Sequence, residues 1–267
     1  MLYKISAFFL TIIIKFDIMF EVDEMNQKIN NINLNYTRYG NNSSKTIVLL
    51  HGWGQNIEMM KPIGDNLKDD FDIVIVDLPG FGKSDEPDFA WSIYDYADCI
   101  HELLNNLKIE NPIVMGHSFG GKVSLAFASK YNVEKLVVFA SPYKPEIEKL
   151  SLKTKILKSV AKIKILKPLV EFFKSHIGST DYKNASPMMR KILVQTVNLD
   201  ITESVKKIKC PTLLIWGGSD TAVPLKRAYE LENLISDAGV VVYEGCTHYA
   251  YLERLGQTIN VLKSFLK

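Results

Sequence analysis

The chain of 267 residues is long enough for one large domain or one domain carrying a substantial insertion. With 47% hydrophobic residues, 23% charged residues and a net charge of +2, its composition is that of an ordinary globular protein and gives no global drive toward nucleic acid or a membrane. Its three cysteines, Cys99, Cys210 and Cys246, are odd in number and far apart, which argues against a disulfide framework or a paired-cysteine metal site and fits a reducing, cytoplasmic compartment.

The chain opens with an apolar stretch from Ile5 to Ile14, preceded by Lys4 and followed by Lys15 and Asp17. Roughly 20 apolar residues are needed to span a bilayer, so this stretch is too short. Charge followed by an apolar core has the order of a signal peptide, yet no small-x-small cleavage site follows in "KFDIMFEVDEM". Residues 1–25 are therefore expected as an extension outside the fold, with membrane association through the apolar segment as the competing expectation.

From residue 26 a periodicity begins. "KINNINLNYTRYG" alternates apolar and polar residues and stops at Gly40, which predicts a hairpin with partly exposed faces. Short, continuously apolar runs follow at Thr46–Leu50, Ile73–Val76, Ile113–Met115, Leu136–Ala140 and Leu213–Trp216, with a last strand in "GVVVYEGC". Strands buried on both faces read this way, and a parallel sheet covered by helices produces them. Between them lie helical patterns. "WSIYDYADCIHELLNNLKI" offers Ser92 as N-cap, Asp95 at the third helical position and apolar residues at 93, 96, 97, 100, 103, 104 and 107. Helices are also predicted over 120–130, over 224–235 with Pro224 in the first turn, and through "YAYLERLGQTINVLKSFLK". This alternation predicts an α/β fold with a doubly wound, mostly parallel sheet and right-handed crossovers.

One segment breaks the alternation. Between Ser141 and Cys210 no buried strand stands out, and "KLSLKTKILKSVAKIKILKPLVEFFKS" is helical in pattern. Residues 142–208 are expected as a helical lid inserted after the sixth strand, leaving 26–141 and 209–267 as the core. Lysines at 144, 149, 153, 155, 158, 162, 164, 167 and 174 face only Glu146, Glu148 and Glu171. Such a run is either a solvated helix face or a docking surface for an acidic carrier protein or an anionic membrane.

The chemistry gathers around Gly116-His117-Ser118-Phe119-Gly120-Gly121, at a strand-to-helix junction. Glycine two residues before and two after a serine is what a sharp, strained turn needs, since side chains there would strike the neighbouring strand or helix. A serine hydroxyl needs a general base near neutral pH. Among five histidines, His101 lies within a helix, His176 in the insertion, and His117 beside the serine on a turn that points adjacent residues apart. His51 begins a glycine loop and is expected to support it. His248 follows the last strand on the same rim as Ser118, and is the base by elimination and position. The imidazole needs an acid to fix its tautomer. Asp77 leads into "PGFG" and is expected as a structural turn; Asp220, after "LLIWGGS", sits just beyond a buried strand. The expected oxyanion donors are the backbone N–H groups of Phe119 and, on the loop "HGWG", of Trp53.

Together "LLHGWGQN", "VDLPGFGKS", "GHSFGG", "LLIWGGSD" and "GCTHYAYLE" resemble the α/β-hydrolase superfamily, from about residue 28 to the end, with the insertion in the place of the family's variable lid. "HGWG" with "DLPGFG" further resembles carboxylesterases of the pimeloyl-carrier-protein methyl esterase kind. The resemblance implies a serine esterase working on a small-molecule acyl substrate through an acyl-enzyme, without metal or cofactor, and with Ser118 rather than an aspartate as nucleophile it argues against dehalogenase or epoxide hydrolase chemistry. "GKS" at 82–84 lacks the glycine five residues before Gly82 that a phosphate loop requires. Thioester, amide or carbon–carbon cleavage on the same residues, or a ligand receptor on a hydrolase fold, remain as alternatives.

Overall fold

Apolar runs of five residues have no room for a solvent-facing side, so the sheet they form must be covered on both faces. The computed structural model of the protein describes residues 24–41, 43–146 and 180–267. A hairpin of β1 (Glu24–Ile29) and β2 (Ile32–Gly40) turns at Asn30, whose φ of 53° suits asparagine in a tight turn. The strands β3 (Thr46–Leu50), β4 (Asp72–Val76), β5 (Ile113–His117), β6 (Lys135–Phe139), β7 (Thr212–Gly217) and β8 (Ala238–Tyr243) complete one sheet in the order β1-β2-β4-β3-β5-β6-β7-β8. The β1–β2 and β2–β4 pairs are antiparallel; every other neighbouring pair is parallel.

Alternation along each strand sorts the apolar residues between the two faces. Val48, Leu50, Val74, Val76, Val114, Leu136, Val138 and Leu214 pack on one side. There they meet α2 (Ile93–Asn106), α3 (Phe119–Ala128) and α7 (Lys226–Leu234). Ile47, Leu49, Ile73, Ile75, Met115, Val137 and Ile215 pack on the other, beneath α1 (Lys61–Leu67), α8 (Ala250–Glu253) and α9 (Leu255–Leu266). Between β6 and β7 the described part of the insertion forms α4 (Thr180–Asn184), α5 (Pro187–Asn198) and α6 (Thr202–Val205). Met189, Ile192, Ile201, Val205 and Ile208 seat it on the first face.

Several boundaries differ from expectation. Strand β1 begins at Glu24, so residues 24 and 25 pair with Thr37 and Tyr36 instead of lying in the extension. Their side chains are exposed, which leaves no apolar signal for a ladder made of backbone. Helix α1 is not among the expected elements, although Ile63 and Leu67, one turn apart, are both buried in it. The expected single C-terminal helix breaks at Arg254, whose φ of −122° and ψ of 43° separate α8 from α9. Helix α7 begins at Lys226, two residues after Pro224. The extension 1–23 and the lysines at 149–174 lie outside the described residues. Among those described, no helix is long and apolar enough to cross a membrane.

Candidate active site

The chain passes from β3 to β4 on one side and then crosses to β5 on the other, so the connections leaving β3 and β5 diverge. Such a switch point opens a crevice at the carboxyl ends of the two strands, and ligands bind there in open α/β sheets. The register pairs Leu50 with Gly116, which sets the loop after β3, His51 to Gln55, directly beside His117 and Ser118.

Ser118 takes φ 52° and ψ −110°, a strained conformation for a residue with a side chain. Its surroundings hold it there. Ser118 N–H donates to the Phe139 carbonyl at 2.9 Å, Gly120 N–H to the His51 carbonyl at 3.1 Å, and Ser141 Oγ to the Ser118 carbonyl at 3.0 Å. A Cβ on Gly116 would run into Ser124 Oγ and the Gly120 carbonyl, and one on Gly120 into the carbonyls of Leu50 and His51. The glycines flanking the serine are therefore required by close approach of backbone to backbone.

His248 lies on the loop after β8 and Asp220 on the loop after β7. The His248 Nδ1–H donates to Asp220 Oδ2 at 2.8 Å. The other carboxylate oxygen, Oδ1, accepts the N–H groups of Ala222 and Val223 at 2.8 and 2.9 Å, which fixes the carboxylate plane in a fully buried side chain. With its proton on Nδ1, the imidazole has its Nε2 lone pair free to accept one. Ser118 and His248 both line a cavity of about 540 Å³, together with Trp53, Phe119, Lys122 and Val197. Thus Ser118, His248, Trp53 and Phe119 converge on one cavity, with Asp220 buried behind the histidine.

The remaining histidines of the core have other partners. His51 is buried; its Nδ1–H donates to the Gly52 carbonyl at 2.7 Å and its Nε2 accepts Leu78 N–H at 3.0 Å, so it ties the loop after β3 to the loop after β4. Burial lowers its pKa to about 4, keeping the ring neutral. Asp77 holds the same turn, accepting Ile57 and Lys83 N–H at 2.8 Å each. His101 stacks on Tyr131 with centroids 3.7 Å apart. His176 lies outside the described residues.

His117 and Gln55 form a support that the sequence reading missed. His117 Nε2–H donates to the His248 carbonyl at 3.1 Å, and burial, with the charge of His248 second, lowers its pKa to about 3. Gln55 Oε1 accepts Gly52 N–H at 2.9 Å, while its Nε2 donates to Tyr249 Oη at 3.2 Å. The loops after β3, β5 and β8 are thereby joined by hydrogen bonds across the cavity floor. The Trp53 ring packs edge-on against Phe81 and Phe119, at centroid distances of 4.9 and 5.2 Å, so it both packs and lines the cavity. Lys122 was missed too, though a signal was present: it is a lone charge in α3, where all ten residues are buried.

Comparison with known proteins agrees with this fold. Residues 45–159 match the family model described as alpha/beta hydrolase fold. Lipase 1 of Psychrobacter immobilis is 29% identical, over 86% of this chain and 79% of that protein. A pimeloyl-[acyl-carrier protein] methyl ester esterase of Pseudoalteromonas atlantica is 28% identical, over 79% of this chain and 90% of that one. A bromoperoxidase structure from Bacillus anthracis superposes with a TM-score of 0.73 at 24% identity, covering 91% of this chain and 99% of the other.

Proposed function

The chain belongs to the α/β-hydrolase superfamily, and from that premise we propose that it is a serine hydrolase cleaving carboxylic esters through an acyl-enzyme. The observation that carries this reading is the hydrogen bond from His248 to the buried Asp220, beside a cavity that His248 shares with Ser118 at a strained φ of 52°.

Ser118 Oγ attacks the ester carbonyl carbon while His248 Nε2 takes its proton. Asp220 keeps the ring in the tautomer that can accept it and stabilises the imidazolium that results. The tetrahedral oxyanion is held by the backbone N–H groups of Trp53 and Phe119, one from each strand end flanking the crevice, at about 3 kcal/mol per donor. His248 then passes the proton to the leaving alkoxide, the C–O bond breaks and the alcohol departs. Water, deprotonated by the same nitrogen, attacks the acyl-enzyme and releases the acid. The relatives' names, lipase and carrier-protein methyl ester esterase, agree on the ester and differ on what flanks it.

The test is Ser118→Ala. Ester turnover and covalent labelling by a fluorophosphonate probe are both expected to disappear while the circular dichroism spectrum is retained. Labelling that persists in the variant would overturn the assignment of the nucleophile.

A further inference from the structure

The cavity wall carries a charge that ester cleavage does not use. Lys122 lies one helical turn beyond Ser118, its N–H bonded to the Ser118 carbonyl at 3.0 Å, and its side chain rises from α3 toward the insertion. It is 1% exposed and lines the same cavity as Ser118 and His248. Its Nζ donates to two backbone carbonyls at the end of α5, Thr196 at 2.8 Å and Leu199 at 2.6 Å. An ammonium has three N–H groups, so one is left without an acceptor among the described residues.

Among the described residues no carboxylate is hydrogen-bonded to this ammonium. Asp200 acts on it only through its field. The other charged groups on the wall are Lys144, Glu146 and Asp181. Lys144 pairs with Glu230 at 3.2 Å, and Glu146 pairs with Lys226 at 3.1 Å and with Arg227 at 2.5 Å. Asp181 lines this cavity too, on the side that it shares with a second cavity lined by Gly80, Glu86 and Met189. A buried cation with only neutral acceptors is costly, and burial pushes its pKa down to about 8. An anion in the cavity would offset that cost, and the apolar neighbours Trp53, Phe119 and Val197 would strengthen the attraction.

We propose that Lys122 receives a carboxylate at the far end of the acyl chain, so that the enzyme prefers monoesters of short dicarboxylic acids. The proposal rests on the ester-hydrolase reading and adds its substrate class. Ser118 and Lys122 lie four residues apart at one strand-to-helix junction and line the same cavity, which favours a short acyl chain between the scissile carbonyl and the carboxylate.

The experiment compares kcat/KM for monoethyl esters of succinate, glutarate and adipate with that for ethyl alkanoates of equal chain length. At least one member is expected to exceed its neutral counterpart by about tenfold or more. In Lys122→Gln, which removes the charge but keeps two donors for the α5 carbonyls, the ratio is expected to fall to about 1. Lys122→Arg is expected to retain the preference. Calorimetry on Ser118→Ala, which binds without turnover, is expected to show the monoethyl ester binding and the ethyl alkanoate binding at least about tenfold more weakly. Equal rates for the two substrate classes, a preference that survives Lys122→Gln, or equal binding in Ser118→Ala would each overturn the proposal, and the wild-type and Ser118→Ala measurements decide it even if Lys122→Gln does not fold. Carboxylate-selective binding without any ester turnover would instead defeat the hydrolase reading and leave the Lys122 site standing.

Discussion

Asp220 uses both carboxylate oxygens, one on the N–H groups of Ala222 and Val223 and one on His248. This division of labour makes Asp220→Asn informative. The amide oxygen can keep the two backbone donors, but its NH₂ then faces His248 Nδ1 and forces the proton onto Nε2, where it blocks acceptance from Ser118. A fall in kcat of about 10³–10⁴-fold is expected, with the melting temperature nearly unchanged. Steady-state kinetics with differential scanning calorimetry checks this, and an unchanged kcat would remove Asp220 from the mechanism. The residue types and their chain order are legible in the sequence because each stands just after a strand-like run. The supporting contacts of Gln55 and His117 are not, because a glutamine in a loop or a histidine at a strand end has no pattern that names its partner 194 or 131 residues away.

At the scale of elements, the helix α2 shows what local sequence can specify. Ser92 Oγ accepts Asp95 N–H at 3.3 Å and Asp95 Oδ2 accepts Ser92 N–H at 2.6 Å, a reciprocal cap that satisfies two donors the helix cannot. Ser92→Ala is expected to cost about 1 kcal/mol and lower the melting temperature by about 2–4 °C, with ester turnover unaffected. Thermal unfolding of the two proteins measures it. Helix α1 is the opposite case. Its sequence, KPIGDNL, contains proline and glycine and a stripe of only two apolar side chains, Ile63 and Leu67, yet it packs under the sheet. Gly64 is required there by tertiary contact, since a Cβ would come within 2.5 Å of Tyr39 Oη and 2.9 Å of Ile73.

On the scale of the whole molecule, the buried neutral histidines couple folding to pH. His51 and His117 have folded pKa values lowered to about 4 and about 3, below the 6.5 of an unperturbed ring. Between these values the unfolded chain takes up protons that the native protein refuses, so stability is full above about pH 6.5 and lost as pH falls toward 4. The loss should reach roughly 3 kcal/mol per ring by pH 4. Urea unfolding at a series of pH values is expected to show this slope, and His117→Asn should reduce it; an identical slope in the variant would mean that His117 titrates normally in the native state.

The sequence by itself determined the alternation of doubly buried strands and helices, the sharp turn at Ser118 and the chain order of serine, acid and histidine. These are set by side-chain periodicity, by glycine at positions that admit no Cβ, and by residue type, all of which are local. Only the tertiary structure decided which loops meet. The order β4-β3-β5 puts the diverging connections at one crevice. The register of Leu50 with Gly116 brings Trp53 and Phe119 to the same cavity. The contact of α3 with α5 leaves Lys122 buried with one N–H unmatched among the described residues. Those facts depend on which strands pair and on what covers them, and pairing energy comes from contacts between segments far apart in the chain, which no local pattern encodes.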